Sequence, residues 1–247
     1  SVATCQAFYD MFYAPNNAVL IIVGDVDPSK TKILTETYFS PIPPSHNLPP
    51  DPDLSVPDRE EKITLLEKSS FDIPVTFMGY QIPSVKHEDI QALEVLNSIL
   101  SGGESSRLHQ RLVRKDKIAL FSAGQTFTRK GPGFFLYFAF YFPHVKPQKI
   151  EATIIDELTS IKLNGVTDHE LTKARKQLLA EKVFQRYSAG SLANSLGNAE
   201  MMYGDYHEYE KEIERFSSIT SADLQRVANS YFNDQNLMVM HITPEDL

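Results

Sequence analysis

The sequence predicts an α+β fold: a mixed, mostly antiparallel sheet with helices packed on one side, preceded by a detached helix–strand–helix segment. Three observations predict it. Apolar runs of strand length alternate with stretches of helical spacing. A proline-rich stretch separates the first forty residues from the remainder. Near the end, residues 222–242 repeat the plan of residues 3–23.

Residues 3–13 (ATCQAFYDMFY) read as a short helix with Phe8, Met11 and Phe12 on one side, broken by Pro15-Asn16-Asn17. Residues 18–23 (AVLIIV) form a continuous apolar run, short enough for a strand buried on both faces. Asp27-Pro28 opens a further helix through Thr31, Leu34 and Tyr38. Residues 41–57 hold seven of the 15 prolines. Proline fixes φ and removes a ladder donor, so this stretch reads as an extended, semi-rigid linker. Beyond it, 62–67 and 74–81 are strand candidates. Ile90, Leu93, Leu96 and Leu100 mark a helix over 87–100, interrupted by Gly102-Gly103. Ser105 or Ser106 can cap a second helical stretch reaching Arg114. Residues 118–129 and 134–142 look like paired strands joined by Lys130-Gly131-Pro132-Gly133. Pro147 suits the first turn of a helix carrying Ile150, Ile154, Leu158 and Ile161. Thr167 with Glu170 fits a capping box opening the next helix, toward Tyr187. Helical stretches over 190–202 and 206–216 follow.

An offset of 219 residues carries Asn17 onto Asn236, Phe12 onto Tyr231, Tyr13 onto Phe232 and 18–23 onto 237–242. Helix, aromatic pair, Asn-containing turn and buried strand recur in one order. Two copies of a closing helix–strand unit imply two related domains. Residues 1–40 are then the closing helix–strand–helix of a preceding homologous domain, 41–58 the linker, and 59–247 a complete domain. A buried-type strand without its sheet is expected to be exposed or swapped.

The 247 residues (27.9 kDa, 42% hydrophobic) are ample for a well-buried core. The net charge of −8 and pI near 5.4 argue against a protein that grips nucleic acid. A single cysteine, Cys5, excludes an internal disulfide framework and a cysteine-based zinc cage. No apolar run reaches the roughly 18 residues of a membrane-spanning helix. The opening Ser1-Val2-Ala3-Thr4 lacks a signal peptide's basic start and apolar core. It also lacks an initiator Met, so a piece of a longer polypeptide is expected. The compartment stays open, with bacterial periplasm and cytoplasm both compatible.

The search for chemistry returns no catalytic motif. The seven histidines (46, 87, 109, 144, 169, 207 and 241) include no pair on one helical turn, so neither H-E-x-x-H nor H-x-x-E-H occurs. Structural or surface roles account for them, and no metal ligand is assigned. Gly103-Glu104-Ser105-Ser106-Arg107 lacks the closing glycine of a nucleophile elbow. Cys5 lies in an apolar helix, where a buried, inert thiol is a plainer reading than a nucleophile. One local constellation stands out. Arg107, Arg111 and Arg114 fall at i, i+4 and i+7, which places all three on one face of an α-helix, with Lys115 close by. Such a stripe can bind carboxylates, and it can equally be a solvated face.

Two segments, FYDMFYAPNNAVLIIVGDVDP from Phe8 and SILSGGESSRLHQRLVRKDKIALFSAG from Ser98, resemble the pitrilysin/insulinase family of zinc metallopeptidases, which includes the mitochondrial processing peptidases. The resemblance covers essentially the whole chain, and the internal repeat fits a family built from duplicated α+β domains. It implies that this chain is the inactive second domain, with zinc carried by H-x-x-E-H in the upstream domain or in a partner subunit. It further implies a peptide or unfolded polypeptide as substrate, held in a chamber between homologous domains. In active members an Arg and a Tyr seven residues apart reach the substrate backbone. Arg114 falls on the Arg position. The Tyr position holds Phe121, which keeps ring packing and loses a donor for a carbonyl or oxyanion. The resemblance therefore implies substrate-binding roles for Arg114 and Phe121 and no catalytic residue in this chain. The alternative is a purely structural or interaction subunit of the same fold, which the missing hydroxyl favours.

Overall fold

A computed structural model describes residues 1–57 and 60–245. The expected boundary between linker and domain, at 58 and 59, lies outside the described residues, as do 246 and 247. The chain divides into two compact units, Ser1–Asp53 with Val183–Glu210, and Leu54–Lys182 with Lys211–Leu247.

The second unit carries a five-stranded sheet. Its strands are β1 (Ile63–Ser69), β2 (Val75–Ile82), β3 (Ala119–Phe127), β4 (Gly133–Tyr141) and β5 (Leu237–Pro244), in the spatial order β1-β5-β2-β4-β3. Only β1 and β5 run parallel; the other three pairings are antiparallel. The strand expected over 134–142 is present as β4, and its burial alternates: Phe135, Tyr137, Ala139 and Tyr141 are buried, while Phe134, Leu136, Phe138 and Phe140 are half-buried on the other face. Both faces are apolar. Helices cover one of them.

That layer contains α3 (Ile90–Ser101), α4 (Pro147–Asn164) and α8 (Ser221–Tyr231). Leu93 and Leu96 of α3, Ile154 and Leu158 of α4, and Leu224 and Val227 of α8 are essentially fully buried in one core with Met78, Phe135, Tyr137 and Val239. Pro147 sits in the first turn of α4, as its fixed φ suits. Thr167 and Glu170 form the expected capping hydrogen bonds ahead of α5 (Asp168–Phe184). Asp89, just before α3, accepts from Arg226 Nη2 at 2.5 Å and from Tyr231 Oη at 2.7 Å, tying α3 to α8. Burial raises the Asp89 carboxyl, but those two donors outweigh it and hold the group below its usual range. A second clasp joins sheet to helix. His241 Nδ1 of β5 lies 2.9 Å from Thr76 Oγ1, and its Nε2 lies 3.2 Å from Glu151 of α4. Burial lowers the His241 pKa against the pull of Glu151, so the ring is neutral in the fold.

The first unit holds α1 (Val2–Phe12), α2 (Pro28–Phe39) and α6 (Ala189–Tyr203). The helix start expected at Asp27-Pro28 is seen directly: Asp27 Oδ1 accepts from Ser29 and Lys30 N–H. The strand expected over 18–23 is absent. These residues have no strand neighbour among the described residues, and a ladder needs one; Val19, Leu20 and Ile22 are exposed, and so is Cys5 of α1, expected buried, because no described element covers that helix.

The repeat read in the sequence is also a repeat of geometry. The same offset carries α1 onto α8 and the 3-10 turn at Pro15–Asn17 onto that at Asp234–Asn236. Tyr13 and Phe232 end their helices at φ,ψ of −94°, 71° and −95°, 63°. Asn17 Nδ2 donates to Phe12 O at 2.8 Å and Asn236 Nδ2 to Tyr231 O at 2.7 Å. Asn236 does more: it donates to Gln81 O at 2.8 Å and accepts from Gln81 N–H at 3.1 Å, fastening the start of β5 to β2. We expect Asn236→Ala to cost about 2 kcal/mol, because three hydrogen bonds at a partly buried site are lost together. Denaturant unfolding checks it; a midpoint equal to that of the unaltered chain would remove the amide from this role.

Candidate functional site

The uncovered face of the sheet is the candidate site. By register, Phe77 faces Phe138 and Met240, Gly79 faces Leu136 and Met238, and Phe121 faces Phe140. The Phe77 and Phe138 rings lie 5.9 Å apart, and Phe121 and Phe138 lie 6.0 Å apart. This face is aromatic and methionine-rich, a surface able to take apolar side chains of varied shape.

Three local departures from regular backbone lead from the helix that carries Arg114 into the strand that brings Phe121 to this face. Residues His109–Lys115 form a π-helix rather than the expected α-helical stretch, with Asp116 N–H reaching back to Arg111 O. Ser106, expected as a cap, instead donates its hydroxyl to Gly103 O. Lys117 adopts a left-handed φ of 52°, a costly position for a residue with a Cβ, and turns the chain into β3. A bulge at Leu120 then shifts the register on the outer strand, so Phe121 lies on the open face while Ala119 and Ser122 point to the core. Phe121 remains 48% exposed.

The π-helix also undoes the expected arginine stripe, because its wider turn breaks the i, i+4, i+7 alignment. Arg107 forms a two-point pair with Glu170, Nε to Oε1 at 2.6 Å and Nη2 to Oε2 at 2.8 Å. Arg111 Nε holds Asp116 at 2.7 Å, and its Nη1 meets Glu157 at 3.4 Å. Both are structural ties within the chain. Arg114 differs: its side chain is 60% exposed, and its ion pair is a 3.2 Å contact with the surface carboxylate of Glu104, 79% exposed. Such a pair is worth little and is readily exchanged for another anion or carbonyl. Arg114 and Phe121 thus meet different partners, one at the surface helix and one on the sheet. The ties from Glu170 and Glu157 come from distant sequence, so no local pattern announced them.

The residues present do not suit a zinc ion. Among the described residues no three His, Cys, Asp or Glu side chains gather as metal ligands. The nearest approach, His241 with Glu151, is buried against Thr76 and already carries the Lys62 ammonium on Glu151. No helix of the described residues is long and apolar enough to cross a membrane.

A sequence profile described as the peptidase M16 inactive domain matches residues 1–178. The chain is 26% identical over 244 residues to the zinc protease PqqE of Helicobacter pylori, covering 97% of this chain and 54% of that protein. A crystal structure of a protease from Helicobacter pylori superposes with a TM-score of 0.93 at 26% identity, over 99% of this chain and 59% of that one. A peptidase M16 inactive domain from Pseudomonas fluorescens superposes at 0.85 with 17% identity, over 99% of this chain and 57% of that one, a likeness of fold. The chain spans about half the length of the curated relatives it matches.

The two kinds of arginine separate by experiment. Arg107→Ala should cost about 2 kcal/mol, since it removes the charge partner of a partly buried Glu170 and leaves it only the donors of Thr167, while Arg114→Ala should change stability by less than about 0.5 kcal/mol. Thermal melts of both variants check this, and equal losses would show Arg114 to be structural too. The hydrogen bond from Arg107 is foremost in holding Glu170 down to about 2, against burial and with help from Thr167. A carboxyl lowered on folding stabilises the fold above its ordinary value, and that stabilisation is lost as pH falls from about 4.5 toward 2. Melting temperatures across that window should fall more steeply in the unaltered chain than in Glu170→Gln.

Proposed function

This chain belongs to the peptidase M16 family, as an inactive domain, and on that premise we propose that it is the non-catalytic domain of a zinc-dependent endopeptidase, where it walls the peptide chamber and helps hold an extended substrate. The observation that carries the reading is the pairing of an uncovered aromatic sheet face, with Phe121 near its outer edge, and Arg114 left exposed while Arg107 and Arg111 are consumed in internal ion pairs. A guanidinium offers several donors in a fixed fork to a peptide's carbonyls or carboxylates. Phe121 offers ring contact to the neighbouring side chain. The outer edge of β3 gives an extended peptide a further strand to pair with.

Zinc, with its attacking water and carboxylate base, would be supplied by a homologous domain preceding this one or by a partner subunit. In this reading residues 1–40 are the closing helix–strand–helix of that preceding domain, 41–58 the linker and 59–247 the complete inactive domain. Half-length coverage of the zinc-protease relatives supports that arrangement, and so does the matching helix, turn and capping amide of the two closing units.

Arg114 is the place to test it. In the complete, zinc-loaded gene product, Arg114→Ala should weaken binding of an uncleavable peptide about tenfold, the worth of one charge-assisted hydrogen bond, with melting temperature unchanged. Affinity that stays the same would sink the peptide-holding role and leave the purely structural subunit as the better reading.

A further inference from the structure

The turn into β3 carries more positive charge than a hydrogen bond to a peptide backbone needs. Arg114, Lys115 and Lys117 are all exposed there. Among the described residues neither lysine side chain has a hydrogen-bond or ion-pair partner. Asp116, which stands between them in sequence, is turned to Arg111 at 2.7 Å. The carboxylate that does meet this turn is Glu104, through its exposed and exchangeable contact with Arg114. In a chain of net charge −8 the patch is a local reversal of sign. Lys117 also holds its φ of 52°, a turn that glycine would make without strain.

An apolar surface begins where the charge ends. Leu120 and Phe121, in the first residues of β3, are 45% and 48% exposed, and the Phe121 ring lies 6.0 Å from that of Phe138. Lys117 and Phe121 are four residues apart, no more than about 14 Å of chain. An extended peptide on the outer edge of β3 would therefore pass both cations and rings within a few residues. The turn already takes one carboxylate from its own chain, since Glu104 accepts from Arg114 Nη2 at 3.2 Å. We propose that the segment held here is acidic and apolar together: Arg114, Lys115 and Lys117 receive its Asp or Glu carboxylate in place of Glu104, and Phe121 receives an aromatic or large aliphatic side chain about four residues away. The inference deepens the peptide-holding reading and rests on it. It also sets a selectivity, because the same cations repel a basic segment.

Binding of two uncleavable peptides to the complete gene product tests the selectivity. The pair is identical except that one carries glutamate and the other glutamine, about four residues from a phenylalanine. At low salt the glutamate peptide should bind about tenfold more tightly. The difference should shrink severalfold as ionic strength rises from about 0.05 to about 0.5 M. Lys115→Gln combined with Lys117→Asn should cut the preference to about twofold or less, while affinity for the glutamine peptide holds. Asparagine suits position 117 because it tolerates a left-handed φ. Equal affinity of the two peptides for the unaltered protein, or a preference for glutamine, overturns the proposal and leaves the peptide-holding reading standing. A preference that survives the salt or the two substitutions unchanged overturns it as well, since these cations would not be its source. Failure of both peptides to bind overturns the peptide-holding reading, and this inference with it.

Discussion

The amide of Asn236 holds the last strand of the sheet in place. It both donates to and accepts from the backbone of Gln81 while capping the turn after α8. Everything beyond that point depends on β5 lying between β1 and β2. Without it β1 would have no neighbour among the described residues, where its ladder is the parallel one to β5. The core would lose Leu237 and Val239, and α4 would lose the His241 clasp to Glu151. A side-chain amide can do this because it presents donor and acceptor together, matching the N–H and C=O of one extended residue.

The second constraint is that an apolar sheet has two faces. The helices α3, α4 and α8 settle one of them and leave the other lined with phenylalanine and methionine. In an isolated soluble domain such a face invites association. In a domain that closes against others, the same face is the useful surface. The irregular passage from the π-helix through Lys117 to the Leu120 bulge aims the outer strand at that surface. Strain kept at such a place is consistent with a role beyond packing.

Much of this was legible in the residues. The short aromatic run from Phe134 to Phe142, closed by a proline, read as a strand, and the spacing of Ile150, Ile154, Leu158 and Ile161 read as one side of a helix. The repeat at 219 residues was legible down to the amide of Asn17, because a turn capped by a side chain needs that side chain wherever it recurs. Other features were not. A π-helix uses the same residues as an α-helix and differs only in its hydrogen-bond span, so the arginines between 107 and 114 seemed aligned where they are not. Two of them are captured by Glu170 and Glu157, whose nearness is a product of folding. Residues 18–23 have a strand's composition and lack one here, since a ladder needs a neighbour as well as a sequence.

The parallel pairing of β1 with β5 also governs how the domain can be made. The first register pair joins Ile63 to Met238, so the sheet's inner strand comes from the far end of the chain. Strands β2, β4 and β3 can pair as soon as they are synthesised, but one side of β2 and the whole of β1 must wait. Contacts of such long sequence separation form slowly, and the waiting edges are apolar. A chain emerging from the ribosome would therefore spend much of its synthesis with a sticky, incomplete sheet, and slowing translation would lengthen its dependence on chaperones rather than relieve it.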